Sequence, residues 1–298
     1  MKHQGQYATL TALGGPSVFV ESSQSDSMNG ERAMISGAGR SLGLISSEPG
    51  SASAEVTHDG APPTTAIYVL LPGAGGDSWY WHLVAPELRG RGHEVLTPDL
   101  PADDDSAGLG EYAEAAVSAI GDRTDVLVVA QSMAAFTAPM LCDRVDVRLL
   151  ILVAPMIPAP GESPGAWWSD SGQETARRQQ DERDGRDPNA VFDVLTTLMH
   201  DVPQEIVAEA FARGEPRQSD TPFTEPWPLD QWPPVPTRVL AGRHDRLFPL
   251  EFMRRLARER LGITADVIDT GHLPALSRPG DLAQRLENYR LQQAPLAP

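Results

Sequence analysis

The sequence predicts an α/β protein: a mostly parallel sheet of about six strands, with helices on both faces and a helical cap inserted near the sheet's carboxyl edge. Three observations carry this. Short β-branched apolar runs recur along the chain, each ending at Pro, Gly, Ser or Asp, as strands buried on both faces do. Longer amphipathic stretches separate them, and strand–helix alternation implies parallel pairing through right-handed crossovers. One interval of about eighty residues breaks the rhythm with helix-like pieces of its own; a structureless loop of that length does not fit a compact domain.

In chain order, residues 1–62 are rich in Ser and Gly and show no sustained periodicity. Such a segment buries too little apolar surface to offset its ordering entropy, so a disordered or weakly ordered extension is expected there. The folded domain is expected over 63–298. IYVLLP (67–72) reads as the first strand and leads into the small-residue loop Gly73-Ala74-Gly75-Gly76. HEVLTPDL (93–100) reads as the second strand, and the acidic ADDDS behind it as a solvated loop. LGEYAEAAVSAIG (109–121) reads as a helix, and DVLVVAQS (125–132) and RLLILVAP (148–155) as central strands. The cap is expected over about 156–235. It opens on the Pro/Gly-rich MIPAPGESPG, closes on FTEPWPLDQWPPVP, and holds SGQETARRQQDERDG, PNAVFDVLTTLMH and VPQEIVAEAFARG as helix-like pieces. TRVLAGR (237–243), PLEFMRRLARERLG (249–262) and TADVIDTG (264–271) complete the pattern as strand, helix and strand.

Charge and cysteine usage narrow the function classes. The 298 residues carry a formal net charge of −17, and a field of that sign repels phosphate backbones and anionic membranes. Neither a nucleic-acid nor a membrane partner is expected; a small-molecule substrate is, and a homo-oligomer is compatible with the sequence. The single cysteine, Cys142, has no internal disulfide partner and sits in an apolar helical stretch, where packing accounts for it. No run suits a bilayer span or a secretory signal, so a cytoplasmic location is expected. The histidines outside the loop at Gly271-His272 show no ligand spacing with acids or Cys, so neither a metal nor a cofactor is expected.

The chemistry concentrates at three strand ends. In DVLVVAQSMAAFTAPML a β-branched strand runs through a small-residue cluster into a helix, with Ser132 at the joint. A serine on a sharp strand-to-helix turn exposes its hydroxyl above the sheet. The usual pattern is G-x-S-x-G, because a Cβ crowds the turn; here Ala130 and Ala134, the next smallest residues, stand at those places. Asp245 follows TRVLAGR and precedes Pro249, where an acid orients a histidine. His272 lies on the loop after the last strand. Serine is protonated at neutral pH, so a base must take its proton during attack and return it to the leaving group. Ser132 is therefore the candidate nucleophile, His272 the base and Asp245 the acid. Oxyanion donors are expected from the Met133 N–H, directly after the nucleophile, and from the Ala74 N–H on the glycine loop, with Gly75 as the alternative. No G-K-[ST] follows that loop, which excludes a P-loop.

With these residues in place the chain resembles the α/β-hydrolase superfamily. LPGAGGDSWYWHLVAPELRGRGHEVLTPDLP is similar to its opening, and RVLAGRHDRLFPLEF and DTGHLPALSRP are similar to its acid and histidine loops. The resemblance covers residues 66 to about 292. It is nearest the branch of methylesterases and hydroxynitrile lyases, through the small-residue loop followed by Trp79-Tyr80-Trp81. It implies a six-stranded core and ester cleavage through an acyl-enzyme. The hydroxynitrile lyases carry a Lys just after the histidine, where this chain has Leu273, which argues against lyase chemistry. Members with an Asp nucleophile differ at Ser132. The expected function is hydrolysis of a small apolar carboxylic ester, a thioester or lactone sharing the same route. The alternatives are a lyase or cofactor-independent oxygenase built on the same site, or a receptor-like protein with little turnover. Aromatic residues of the cap suggest an apolar pocket, with Gly75, Met156, Trp167, Trp168 and Leu273 as its expected lining and PGESPGAWW as a lid edge.

Overall fold

The computed structural model describes residues 65–293. The expectation for residues 1–62 lies outside them. Six strands form one parallel sheet in the order β2-β1-β3-β4-β5-β6. They are β1 (Ile67–Leu71), β2 (Glu94–Leu96), β3 (Val126–Gln131), β4 (Val147–Val153), β5 (Thr237–Gly242) and β6 (Asp266–Ile268). The two edge strands are shorter than the sequence suggests. β2 stops before Thr97-Pro98, since proline brings no N–H to the ladder. The second edge strand, β6, pairs only through Asp266, Val267 and Ile268.

The central strands are apolar because both faces are covered. Every residue of β3 is buried. Alternate side chains serve opposite layers. Leu71, Val128, Ala130, Leu152 and Ala241 pack with α2 (Leu109–Ile120), α3 (Ala134–Thr137) and α9 (Leu250–Leu261). Leu70, Leu127, Val129, Ile151 and Leu240 face the other way, onto α1 (Val84–Gly90), α10 (Pro274–Ser277) and α11 (Pro279–Gln292). Helix α9 shows how the sequence sets these boundaries. It follows Pro249, buries Phe252, Met253, Leu256 and Ala257 on one stripe, and stops at Gly262, whose φ of 68° suits a residue without Cβ.

Strand β1 lies between β2 and β3, so the chain leaves it in one direction and returns on the other side. At such a switch point the loops after neighbouring strands part and open a crevice at their carboxyl ends. Here the parting loops are Gly73–Gly76 after β1 and Ser132 after β3.

Between β4 and β5 the chain forms α4 (Pro164–Asp170), α5 (Gln173–Arg183), α6 (Val194–Thr197), α7 (Gln204–Arg213) and α8 (Thr221–Thr224). The expected lid edge is instead a tied segment. The Ser163 hydroxyl accepts the Ala166 N–H and Pro164 opens α4, a serine cap followed by proline. Just before it, Glu162 is ion-paired with Arg260 of α9 and accepts the Ala159 N–H. PNAVFDVLTTLMH forms only the short α6, because Asp193 caps the Thr196 N–H and the helix ends at Leu198. Among the described residues no helix is long and apolar enough to cross a membrane.

Candidate active site

Ser132 stands immediately after β3 with φ of 51°, a left-handed conformation that costs a non-glycine residue about 1–3 kcal/mol. Its own backbone groups hold it there. The Ser132 N–H donates to Val153 O at 3.0 Å, and its carbonyl accepts the Ala135 and Met156 N–H groups. Ala130 and Ala134 flank the turn, 0% and 2% exposed, so only small side chains fit the places where glycine is usual. Gly73 explains part of this crowding. A Cβ there would lie 2.2 Å from Gln131 Oε1 and 3.1 Å from Ser132 Cβ, so the loop after β1 and the turn after β3 meet in van der Waals contact.

The other two residues arrive from the loops after β5 and β6. His272 Nε2 is 3.3 Å from Ser132 Oγ, and His272 Nδ1 is 2.8 Å from Asp245 Oδ2. Asp245 Oδ1 accepts the Leu247 and Phe248 N–H groups at 2.8 and 2.9 Å. These bonds fix the carboxyl group and leave Oδ2 facing the imidazole. With Nδ1–H engaged, Nε2 presents its lone pair to the serine. All three side chains are buried, and the Phe248 ring stands edge-on to the imidazole at 4.9 Å. The 3.3 Å serine–histidine separation is loose for a hydrogen bond, as is common before substrate is bound. Gln131 also reaches this nitrogen: its side-chain amide nitrogen is 3.3 Å from His272 Nε2.

Around the turn, the two expected oxyanion donors are open. Among the described residues no acceptor is bonded to the Met133 or Ala74 N–H. The Gly75 N–H is not open; it donates to Gln218 Oε1 at 2.8 Å. Of the two N–H groups expected on this loop, Gly75's is therefore occupied and Ala74's is not. Gln218 in turn donates to Tyr112 Oη, so the helical insertion fixes the glycine loop from above.

The expected pocket residues divide. Met156 is 2% exposed; its N–H holds the Ser132 carbonyl and its side chain belongs to the core. Trp167 is fully buried, its indole N–H donates to Ile157 O, and its ring packs on Phe248 and Phe252. It is a core residue joining α4 to α9, with no exposed surface of its own. Trp168 stands beside it, packed on Phe248, with its buried indole nitrogen unpartnered among the described residues. Leu273 is partly buried against the β1–β6 core. Cys142 lies away from the triad, and burial pushes its thiol up to about 12, which leaves it protonated and inert. No group of three or more His, Cys, Asp or Glu side chains among the described residues is arranged to hold a metal.

Sequence reasoning missed the residues that hold the catalytic loops from outside: Gln218 on Gly75, Gln173 on the Leu247 carbonyl, His200 on the His244 carbonyl and Asp201 on the Gly271 N–H. Tyr80, singled out in the sequence only as part of Trp79-Tyr80-Trp81, lies close enough to Asp245 and Asp201 that burial, reinforced by their charges, drives its hydroxyl far above the ordinary phenol range.

Comparison with known proteins agrees with this fold. A methylesterase from Arabidopsis shares the fold with a TM-score of 0.59 at 17% identity, over 76% of this chain and 100% of that one. Polyneuridine aldehyde esterase matches at 0.57 and 16%, over 76% and 99%. A pyrethroid hydrolase from Sphingobium faniae matches at 0.55 and 18%, over 78% and 99%. Comparison with curated protein sequences gives no match. The profile of the alpha/beta hydrolase family matches residues 68–285, a span that holds β1 to β6 and all three residues of the serine–histidine–aspartate array; the chain belongs to that family.

Proposed function

We propose that this protein is a serine hydrolase that cleaves a small apolar carboxylic ester through an acyl-enzyme. The observation that carries the reading is the continuous chain of contacts from Ser132 Oγ through His272 to Asp245, with Asp245 fixed by two backbone N–H groups. His272 Nε2 takes the Ser132 proton as Oγ attacks the ester carbonyl. The negative oxygen of the tetrahedral intermediate then lies against the open Met133 and Ala74 N–H groups, each worth about 2.7–4 kcal/mol to the transition state. Collapse expels the alkoxide, protonated by His272, and leaves an acyl group on Ser132. Water, deprotonated by His272, repeats the addition and releases the acid. A thioester or lactone follows the same steps.

Leu273 supports hydrolysis over cyanohydrin chemistry, since no cation follows His272 there. The solved structures that share the fold include two esterases and a pyrethroid hydrolase, a further support for ester substrates. The test is covalent labelling with a fluorophosphonate probe, followed by mass spectrometry of the digested protein. The reading predicts a single adduct at Ser132. An intact protein with no adduct there would favour a lyase, an oxygenase or a binding protein built on the same fold.

A further inference from the structure

Two adjacent residues of the insertion, His200 and Asp201, each reach a different loop of the site. They follow α6 in a turn closed by the Val202 N–H to Met199 O bond. His200 Nε2 lies 3.0 Å from the His244 carbonyl, so it donates there. Asp201 Oδ2 accepts the Gly271 N–H at 2.6 Å. His244 directly precedes Asp245, and Gly271 directly precedes His272. Each contact is therefore one residue from a member of the serine–histidine–aspartate array.

The fit is tight on both sides. A Cβ on Gly271 would lie 2.6 Å from Asp201 Oδ1 and 2.8 Å from His200 Nε2, so only glycine admits both side chains. The two loops are also bonded to each other, through the His244 N–H to Thr270 O at 2.9 Å. Burial, with the Arg246 charge, lowers the His200 pKa, and the carbonyl acceptor requires a proton on Nε2. Asp201 Oδ1 is buried with no hydrogen-bond partner among the described residues. A buried polar oxygen left unpaired costs stability, so its presence beside Gly271 calls for an explanation.

We propose that Asp201, seconded by His200, is a positioning residue that fixes the His272 loop from the insertion and so sets the imidazole against Ser132. This rests on the reading of Ser132, His272 and Asp245 as the reacting groups. Neither residue touches the serine; the effect passes through the Gly271 and His244 peptides. A misplacement of the base by about 1 Å costs on the order of 100-fold in rate.

The test uses the full chain with Asp201→Ala and Asp201→Asn, each checked for folding by its melting temperature. Two quantities are measured: hydrogen exchange in the peptide containing Gly271, and the rate of fluorophosphonate labelling at Ser132, alongside kcat and KM for any ester turned over. In Asp201→Ala the Gly271 amide should exchange faster. Labelling and kcat should fall about 10- to 100-fold, with KM within about twofold. Asn keeps an acceptor oxygen, so Asp201→Asn should recover both to within about threefold. Unchanged exchange at Gly271 in Asp201→Ala, or faster exchange with undiminished labelling, would overturn the proposal while leaving the nucleophile standing. Absence of labelling in the unaltered protein would instead overturn the nucleophile reading and this one with it.

Discussion

The side-chain amide nitrogen of Gln131 and the hydroxyl of Ser132 both lie 3.3 Å from His272 Nε2. A neutral imidazole offers one lone pair at that nitrogen, so two donors share one acceptor. The neighbouring residue thus competes with Ser132 for His272 Nε2. Gly73 is what admits it, since a Cβ there would occupy the place of the Gln131 amide.

Removing the competitor should quicken acylation. In Gln131→Met the side chain keeps its length and loses its donor, leaving Ser132 as the sole partner of Nε2. Fluorophosphonate labelling should accelerate about 2- to 10-fold, the worth of one net hydrogen bond of roughly 0.5–1.5 kcal/mol. Slower labelling with an unchanged melting temperature would show that Gln131 helps His272 and does not compete for it.

The contact between Gln218 and the Gly75 N–H predicts a loop effect separable from the triad. Gln218→Ala releases the glycine loop and should let Ala74 leave its oxyanion position. The loss expected is about 10- to 100-fold in kcat, below the full cost of an oxyanion donor because the loosened loop still visits the position. Steady-state kinetics with a chromogenic ester check it. An effect confined to KM would show that Gln218 contacts substrate instead.

His200 gives a prediction about pH and stability. Burial and the Arg246 charge lower its pKa in the fold, while the attraction of Asp201 and Asp245 opposes them without prevailing. The unfolded chain therefore binds this proton more readily. Stability on this account is full above the ordinary histidine value of about 6.5 and declines as pH falls below it. His200→Gln keeps a donor for the His244 carbonyl and removes the titration. Urea midpoints at about pH 7.5 and 5.5 should fall less in the variant than in the parent. Parallel losses in the two proteins would assign the pH dependence to other groups.

Trp167 tests the core assignment. Fully buried between α4 and α9, it should cost about 3–5 kcal/mol when replaced by Ala, through lost burial and the cavity left behind. Denaturant unfolding measures this. A loss below about 1 kcal/mol with an altered preference among ester acyl chains would return it to the pocket wall.

Much of the sheet and the loop positions of Ser132, Asp245 and His272 were legible because each is a local feature. β3 is a fully buried run rich in valine, and Ser132, Asp245 and His272 each follow directly on a strand or its short loop. The supports were not legible, since Gln218 meets Gly75 across 143 positions and Asp201 meets Gly271 across 70. No periodicity encodes a polar side chain reaching a backbone group that far away. The Ser163-Pro164 start of α4 was different in kind. A serine cap followed by proline is a local signal, and it was obscured by the glycines around it, which suggested a lid. Trp167 and Trp168 adjoin in sequence yet differ in burial, and composition cannot tell a core indole from a neighbouring one.

The central claim is that Ser132 is the nucleophile of an ester hydrolase. It is tested most directly by hydrolysis of p-nitrophenyl acetate and butyrate with the parent protein and Ser132→Ala side by side. The account predicts turnover by the parent and a loss of roughly 10⁴-fold or more in kcat for the variant, down to the residue left by the oxyanion donors and binding. Hydrolysis undiminished in Ser132→Ala would contradict it.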